Sequence, residues 1–302
     1  MIPLIVIEGP TASGKSKLAI ELASHLNTEI ISADSRQVYK YMDIGTAKVT
    51  KEELKQIPHH MIDVLNPDER FNAGQFASMA ADIASEIYSR AKIPIVCGGT
   101  GLYVRSMLEG LCHIPLIMPE IKEELLNRLV TEGLPVLYSE LMQLDPDFAK
   151  SISLNDKQRI VRGLEVAIGT GKPLSRHWQE QRDNKMYKVF RILISPERQN
   201  LYNAIDNRIQ QMVNEGLIEE IRSLLSMGYS ETSPGLSSLG YQEFFPYINA
   251  QSDLSECCAI AAQHHRNYAK RQVTWYRKCT FDLTLSSPLV NISEISKLID
   301  YH

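Results

Sequence analysis

The chain has 302 residues, 44% of them hydrophobic, with 32 Lys and Arg against 36 Asp and Glu for a net charge of −4. That content can fill one large core or two smaller ones. The charge excludes a global basic field advertising a nucleic-acid partner and leaves only a local basic face open. The five cysteines (Cys97, Cys112, Cys257, Cys258 and Cys279) show neither C-x-x-C spacing nor ligand-like pairing with His. Reduced thiols, a cytoplasmic setting and no structural zinc are therefore expected. The N-terminus enters a strand directly, so no secretory signal is expected. No apolar run approaches the ~18 residues of a membrane span, so no membrane partner is expected either. There is no fixed-period repeat or low-complexity tract.

Residues 2–8 form an apolar run of strand length, followed by "GPTASGKS" at 9–16. Leu18, Ala19, Leu22, Ala23 and Leu26 then recur at helical spacing. "EIISAD" at 29–34 reads as a second strand ending on an acid, 73–91 as a helix, and "IPIVCGGT" at 93–100 as a buried strand ending in glycines. Strand, helix, strand, helix, strand predicts a parallel α/β sheet, whose ligands bind beyond the carboxyl ends of the strands. The Gly loop, Asp34 and Gly98-Gly99-Thr100 all fall there. Residues 120–172 read as helices only, with loops at Gly133-Pro135 and Asp145-Pro146. Strand character returns at 187–195, two helical patterns follow over 198–227, then a helix over 253–278 and a short strand at 281–285. The predicted organisation is an α/β core over 1–113 and 188–302, with a helical insertion at 114–187.

The Gly loop fits G-x-x-x-x-G-K-[ST] and sits between strand and helix, the context that gives this motif its meaning. Its backbone N–H groups form an anion nest at a helix N-terminus, Lys15 adds a mobile charge, and Ser16 can reach Mg²⁺. By motif it falls among the nucleotide-binding and ATP-binding loops. "GTGKP" at 169–173 lacks the first glycine at the required spacing and reads as a helix C-terminus. Asp34, in "DSRQVYKYMDIGTAK", could hold Mg²⁺ or accept a proton from a substrate. It could equally cap the segment that follows, as could Ser35. A P-loop triphosphatase generally needs a metal-holding Asp after an apolar strand. Here "IPIVC" runs instead into Gly98-Gly99-Thr100, whose small residues let backbone and a hydroxyl approach a ligand. "HHRNYAKRQVTWYRK" at 264–278 interleaves Arg266, Lys270, Arg271, Arg277 and Lys278 with Tyr268, Trp275 and Tyr276, and no acid interrupts it. Such a stripe suits a nucleic-acid backbone, or is a solvated helix face with its aromatics in the core, the reading favoured for Trp275. His59-His60 reads as loop surface. In "NDKQRIVRGLEV", Arg159 and Arg162 share a helix face with Gln158 beside them, and Asn155 or Asp156 caps the helix.

Together these residues resemble one family, the tRNA dimethylallyltransferases, or tRNA isopentenyltransferases, in their bacterial form without the zinc-finger tail of eukaryotic members. The matching blocks are "GPTASGKS", "ISADSRQVYKYMDIGTAK", "VCGGTGLYVRSMLEGL", "LNDKQRIVRGLEV", "IQQMVNEGLIEEIRSLL", "LGYQEF" and "YAKRQVTWYRK", in family order from residue 4 to about 278. The resemblance implies a P-loop NTPase-like parallel sheet with an inserted small helical domain of swivel type. It also implies transfer of a dimethylallyl group from dimethylallyl diphosphate to N6 of adenosine 37 in the tRNA anticodon stem-loop. By the same resemblance Gly9, Pro10, Thr11, Ala12, Ser13, Gly14, Lys15 and Ser16 hold the diphosphate, with Mg²⁺ near Ser16. Lys15 and Arg208 stabilise the leaving charge, Thr100 reaches the reacting region, and Asp34 is the base. The tRNA contacts it implies are Asp34, Ser35, Arg36, Gln37, Thr100, Lys122, Gln158, Arg159, Ile160, Val161, Arg162, Lys270, Arg271 and Gln272, and a monomer is expected. The sequence departs from the family at Ser237-Ser238, at Arg36, and in "IPLIMPEIK", which lacks the acid many members carry before Pro-Glu. Two other readings stay open: a P-loop kinase or ATPase acting on a small molecule, and an RNA-binding relative without chemistry.

Overall fold

The computed structural model describes residues 1–110, 112, 114–180 and 186–301. The chain separates into two compact units, one of Met1–Glu109 with Lys185–His302 and one of Gly110–Asn184. The boundary expected at 113 falls on His113, outside the described residues.

In chain order the first unit begins with β1 (Ile2–Glu8), α1 (Lys15–His25), β2 (Ile30–Ser32), α2 (Lys51–Gln56), β3 (His59–His60), α3 (Ala73–Ser89), β4 (Ile95–Gly98) and α4 (Gly101–Glu109). The second unit holds α5 (Pro119–Thr131), α6 (Leu134–Leu144), α7 (Pro146–Ser151), α8 (Lys157–Thr170) and α9 (Leu174–Gln179). The first unit resumes with β5 (Tyr187–Ile194), α10 (Arg198–Asn214), α11 (Leu217–Ser226), a 3-10 turn at Gln242–Phe244, α12 (Phe245–Ile248), α13 (Leu254–Tyr276), β6 (Leu283–Leu285) and α14 (Ile292–Tyr301).

The strands form one parallel sheet in the order β3-β2-β4-β1-β5-β6. Strand β1 is apolar along its length because it is covered on both faces. Leu4 and Val6 pack with Phe76, Ala80 and Ile87 of α3 and with Val104 and Met107 of α4. Ile5 and Ile7 pack with Leu18 and Leu22 of α1 and Ile295 of α14. A further cluster joins Val38, Tyr39 and Met42 to Ile221, Leu224, Tyr241, Phe244 and Cys257. The helical unit has its own core of Leu137, Leu141, Phe148, Ile160, Leu164 and neighbours. Its helix starts are written in the sequence: the Asp145 carboxylate accepts from Phe148 N, and the Asp156 carboxylate caps α8 by accepting from Arg159 N. Gly171, in the decoy "GTGKP", takes a left-handed φ of 68° and closes α8 as its C-cap.

The sequence reading missed two features. His59-His60 is a short edge strand, with His60 Nε2 2.9 Å from the Glu29 carboxylate that also takes Arg90 and Lys92. Residues 292–301 form α14, whose Ile295 seals one face of the sheet.

Candidate active site

The loops after β1, β2 and β4 meet at the carboxyl end of the sheet. Residues 9–14 bridge β1 to α1, and Gly14 takes φ 85°, the left-handed conformation needed to turn into the helix. Lys15 and Ser16 open α1, so the helix N-terminus and its free N–H groups face the loop. A cavity of ≈ 340 Å³ opens there. Its lining includes Thr11, Lys15, Ser16, Asp34, Ser35, Arg36, Gln37, Arg208, Arg271 and Gln272. Ten residues picked from the sequence or the family resemblance are thus brought together, from four separate stretches of chain.

Two cations and one carboxylate dominate its electrostatics. Burial pushes the Lys15 ammonium below its usual value, opposed in part by the Asp34 carboxylate. Burial likewise pushes Arg208 down, again opposed by Asp34. Arg208 Nη1 lies 3.4 Å from Thr11 Oγ1, which ties α10 to the Gly loop. Two desolvated cations near one carboxylate leave an excess of positive charge, the condition a polyanionic ligand satisfies. Burial also raises the Tyr268 phenol to about 12 and the Cys97 thiol to about 12, so both are neutral near pH 7.

Asp34 caps the segment that follows, as one of its two readings had it, and it also faces the cavity. Its Oδ1 accepts from the backbone of Arg36 at 2.8 Å and Gln37 at 3.4 Å, capping the turn after β2. The same side chain lines the cavity. Gln37 Nε2 donates to Ala47 O at 3.1 Å, and its Oε1 accepts from Ser32 Oγ at 3.1 Å, so it braces that wall. Arg36 Nη1 donates to Pro234 O at 3.3 Å. Thr100 lies outside the cavity lining; its Oγ1 accepts from Ser35 N at 3.1 Å, and it shares a hydrogen bond with Tyr268.

Gly98, the last residue of β4, lines the cavity, and Gly98 and Gly99 also serve packing. A Cβ on Gly98 would stand 2.1 Å from Ala33 O, so this glycine lets β2 and β4 close up. A Cβ on Gly99 would stand 2.5 Å from Gln272 Nε2 on α13. The acid at the end of β1, Glu8, is 1% exposed and committed to Arg191, whose Nη2 lies 2.6 Å away. Among the described residues no group of three or more His, Cys, Asp or Glu could by itself hold a metal ion.

On α13, Lys270 and Arg271 are exposed, whereas Arg266 is ion-paired with Asp206 and Trp275 packs against Gly101. Gln272 departs from the expected RNA contact: it is 6% exposed and hydrogen-bonded inside the protein. In the helical unit Lys122, Gln158, Arg159 and Arg162 are exposed. Ile160 and Val161 are buried in that unit's core, so any side-chain contact from α8 falls to its polar neighbours. Arg159 and Arg162 pair with Asp156 at 3.3 Å and Glu165 at 3.0 Å, surface pairs of little strength that a phosphate can displace.

A family model described as IPP transferase matches residues 37–279. The chain belongs to the tRNA dimethylallyltransferases, the IPP transferase family. A tRNA dimethylallyltransferase from Caldanaerobacter subterraneus is 42% identical over 286 residues, covering 93% of this chain and 90% of that protein. One from Bacillus licheniformis is 38% identical over 297 residues, covering 97% and 93%. Among solved structures, a tRNA isopentenylpyrophosphate transferase from Staphylococcus epidermidis superposes with a TM-score of 0.73 at 38% identity, covering 100% of both chains. A eukaryotic dimethylallyltransferase acting on tRNA gives 0.82 at 28% identity, covering 100% of this chain and 79% of that one. The P-loop NTPase-like sheet is the fold this chain shares with them.

One residue that shapes the site had no sequence reading of its own. Glu220 of α11 accepts from three successive backbone N–H groups, Asp43, Ile44 and Gly45, at 2.7, 2.8 and 3.1 Å. It also accepts from the Tyr241 hydroxyl at 2.7 Å. Nothing in the spacing of "GLIEEIRSLL" marks that glutamate. Tyr276 had a signal: with His265, Ala269 and Gln272 it recurs every three or four residues along the buried stripe of α13.

Proposed function

We propose that this chain transfers the dimethylallyl group of dimethylallyl diphosphate to N6 of adenosine 37 in the anticodon stem-loop of tRNA, as a cytoplasmic monomer. The convergence of Lys15, Arg208 and Asp34 on one cavity carries the reading. The bond from prenyl C1 to the diphosphate oxygen breaks as a bond from N6 to C1 forms. N6 then loses one proton, and diphosphate leaves with the electron pair of the broken bond.

Each part of that step has a residue suited to it. Negative charge grows on the leaving diphosphate, where loop amides, Lys15 and Arg208 already supply positive charge in a desolvated site. The Asp34 carboxylate, held by its bonds to Arg36 N and Gln37 N, orients the amine and takes its proton. An adenine amine is a weak nucleophile, so fixed positioning supplies much of the rate. The adenine leaves its stack to enter the cavity, with Tyr268 and Arg271 in the lining available to face it. Mg²⁺ fits the oxygen donors present: Ser16 is exposed at the first turn of α1 and shares the cavity with Asp34. When bound, the ion supplies further charge to the leaving group. Lys270 and Arg271 on α13, and Lys122, Arg159 and Arg162 in the helical unit, are the phosphate contacts.

The test is a transfer assay with Mg²⁺, radiolabelled dimethylallyl diphosphate and unmodified anticodon stem-loops carrying adenosine or guanosine at position 37. Label entering only the adenosine RNA is expected. Label in neither RNA, with ATP hydrolysed in the absence of RNA, would replace this reading with a small-molecule phosphotransferase or ATPase.

A further inference from the structure

Helix α13 carries its basic residues outward and grips the catalytic loops with its other face. Gln272 reaches two loops at once. Its Oε1 accepts from Thr11 N in the Gly loop at 2.9 Å, and its Nε2 donates to Gly99 O after β4 at 2.8 Å. One turn further along, the buried Tyr276 hydroxyl lies 3.2 Å from Gly9 O and 3.4 Å from Gly99 O, both acceptors. The loops after β1 and β4 are therefore bridged by Gln272, and the single proton of the Tyr276 hydroxyl is shared between a carbonyl of each.

The residue types are specific to this task. A primary amide presents a donor and an acceptor from one planar group, as a backbone N–H on one side and a carbonyl on the other require. A carboxylate would face Gly99 O with an acceptor, and an apolar side chain would strand both groups. Gly99 fits the same constraint, since a Cβ there would meet Gln272 Nε2 at 2.5 Å. The bond to Thr11 also directs that residue's N–H away from the diphosphate nest, while its hydroxyl stays beside Arg208.

We infer that Gln272, backed by Tyr276, is a positioning residue for the diphosphate loop and not an RNA contact. It fixes the Gly9–Thr11 entry of the loop relative to the Gly99-Thr100 turn, so that loop amides, Thr11 and Arg208 meet the diphosphate already in place. The neighbouring Lys270 and Arg271 contact RNA, and Gln272 acts through the protein. The inference rests on the transfer reaction proposed above for its kinetic arm alone.

The experiment uses the full chain and its Gln272→Glu, Gln272→Met and Tyr276→Phe variants, with Lys270→Ala as an RNA-side control. Three quantities are measured: affinity for inorganic diphosphate with Mg²⁺ and no RNA, affinity for the anticodon stem-loop, and kcat and KM for dimethylallyl diphosphate. Both Gln272 variants should weaken diphosphate binding and lower kcat/KM for the donor by about tenfold, as expected when a buried hydrogen bond is lost and its partners stranded. Their RNA affinity should stay within about twofold, the difference expected of a side chain that carries no phosphate contact. Tyr276→Phe should act in the same direction and more weakly. Lys270→Ala should show the opposite split. Weakened RNA binding with unchanged diphosphate affinity would overturn the inference and return Gln272 to the RNA surface. Equal losses in both affinities with a lowered melting temperature would reduce it to a fold-stabilising residue. If the wild type binds diphosphate but transfers no prenyl group, the proposed reaction fails while the diphosphate arm still tests the clamp.

Discussion

Replacing Asp34 by Asn and by Ala separates its two roles. Asn keeps an oxygen where Oδ1 accepts from Arg36 N at 2.8 Å and Gln37 N at 3.4 Å, so the turn after β2 should hold. It removes the charge and the proton acceptor. General-base catalysis contributes about 10² to 10⁴-fold, so kcat for Asp34→Asn should fall by that much. The carboxylate also supports the charged forms of Lys15 and Arg208, and its removal leaves two desolvated cations without their anion. Donor binding should therefore hold or tighten as turnover falls, since a dianion meets a more positive cavity. Asp34→Ala removes the cap as well and should cost about 1 kcal/mol of stability beyond the Asn variant. Single-turnover transfer with saturating RNA and donor gives the chemical step, and thermal melting of both variants gives the cap. Full turnover in Asp34→Asn would refute the base assignment and leave Asp34 as a capping residue. Equal loss of RNA affinity and turnover in that variant would instead make the carboxylate an RNA contact.

Lys15 offers a pH test. Burial holds its ammonium below the ordinary 10.5, so in the window beneath 10.5 the unfolded chain binds more protons than the folded one and stability rises with pH. Activity should run the other way, because only the ammonium neutralises the leaving group; the alkaline limb of kcat/KM should fall below pH 10.5 and move upward in Lys15→Arg, and a limb unmoved by that substitution would remove Lys15 from the profile. RNA affinity should fall with salt, with a log–log slope of roughly −3.5 to −4.5 if Lys122, Arg159, Arg162, Lys270 and Arg271 each neutralise one phosphate. Filter binding across a salt series of the wild type and a Lys270→Ala, Arg271→Ala variant checks this, and an identical slope in both would discount α13 as the RNA face. Glu220→Ala should strand three backbone N–H groups and the Tyr241 hydroxyl, costing about 2 kcal/mol or more. A melting drop of roughly 5 °C and faster amide exchange at residues 43–45 are expected, and native exchange there would show the segment to be held by other contacts.

The parts legible in the sequence were those set by local chemistry. Strands β1 and β4 announce themselves because central parallel strands are apolar on both faces, and β5 by the buried Tyr187, Phe190, Ile192 and Ile194 along it. The Gly loop is legible because four fixed positions and a following helix specify its geometry. Strand β3 was hidden, since two histidines at a sheet edge carry no apolar period and pair only through neighbours such as Ile30 and Ile31. Within the site, Asp34 stood out by ending a strand at the right edge. Arg208 did not, because an arginine on a long helix gives no sign that its guanidinium turns inward to Thr11. Glu220 was beyond reach for a related reason: its partners are backbone N–H groups about 175 residues earlier in the chain, which carry no side-chain signature. Gln272 was expected among the RNA contacts through the family resemblance, and its burial is hidden by the basic run around it. Its position on the stripe of His265, Ala269 and Tyr276 was the better guide, and period outranks composition when assigning a helix face.

The two glycines after β4 connect the missing acid to the reaction. A P-loop triphosphatase uses the end of such a strand for a metal-holding Asp. Here Gly98 brings β4 against Ala33, so β2 is drawn close and Asp34 becomes the carboxylate beside the Gly loop. Gly99 clears the space that Gln272 and Tyr276 fill from α13. An acid at either position would separate the strands or expel the helix. The absence of a carboxylate at the end of β4 and the seating of α13 on the Gly loop are thus one structural arrangement. It places the remaining carboxylate on the wall that continues through Ser35, Arg36 and Gln37, where an acceptor can reach it, and leaves the loop to hold a leaving group.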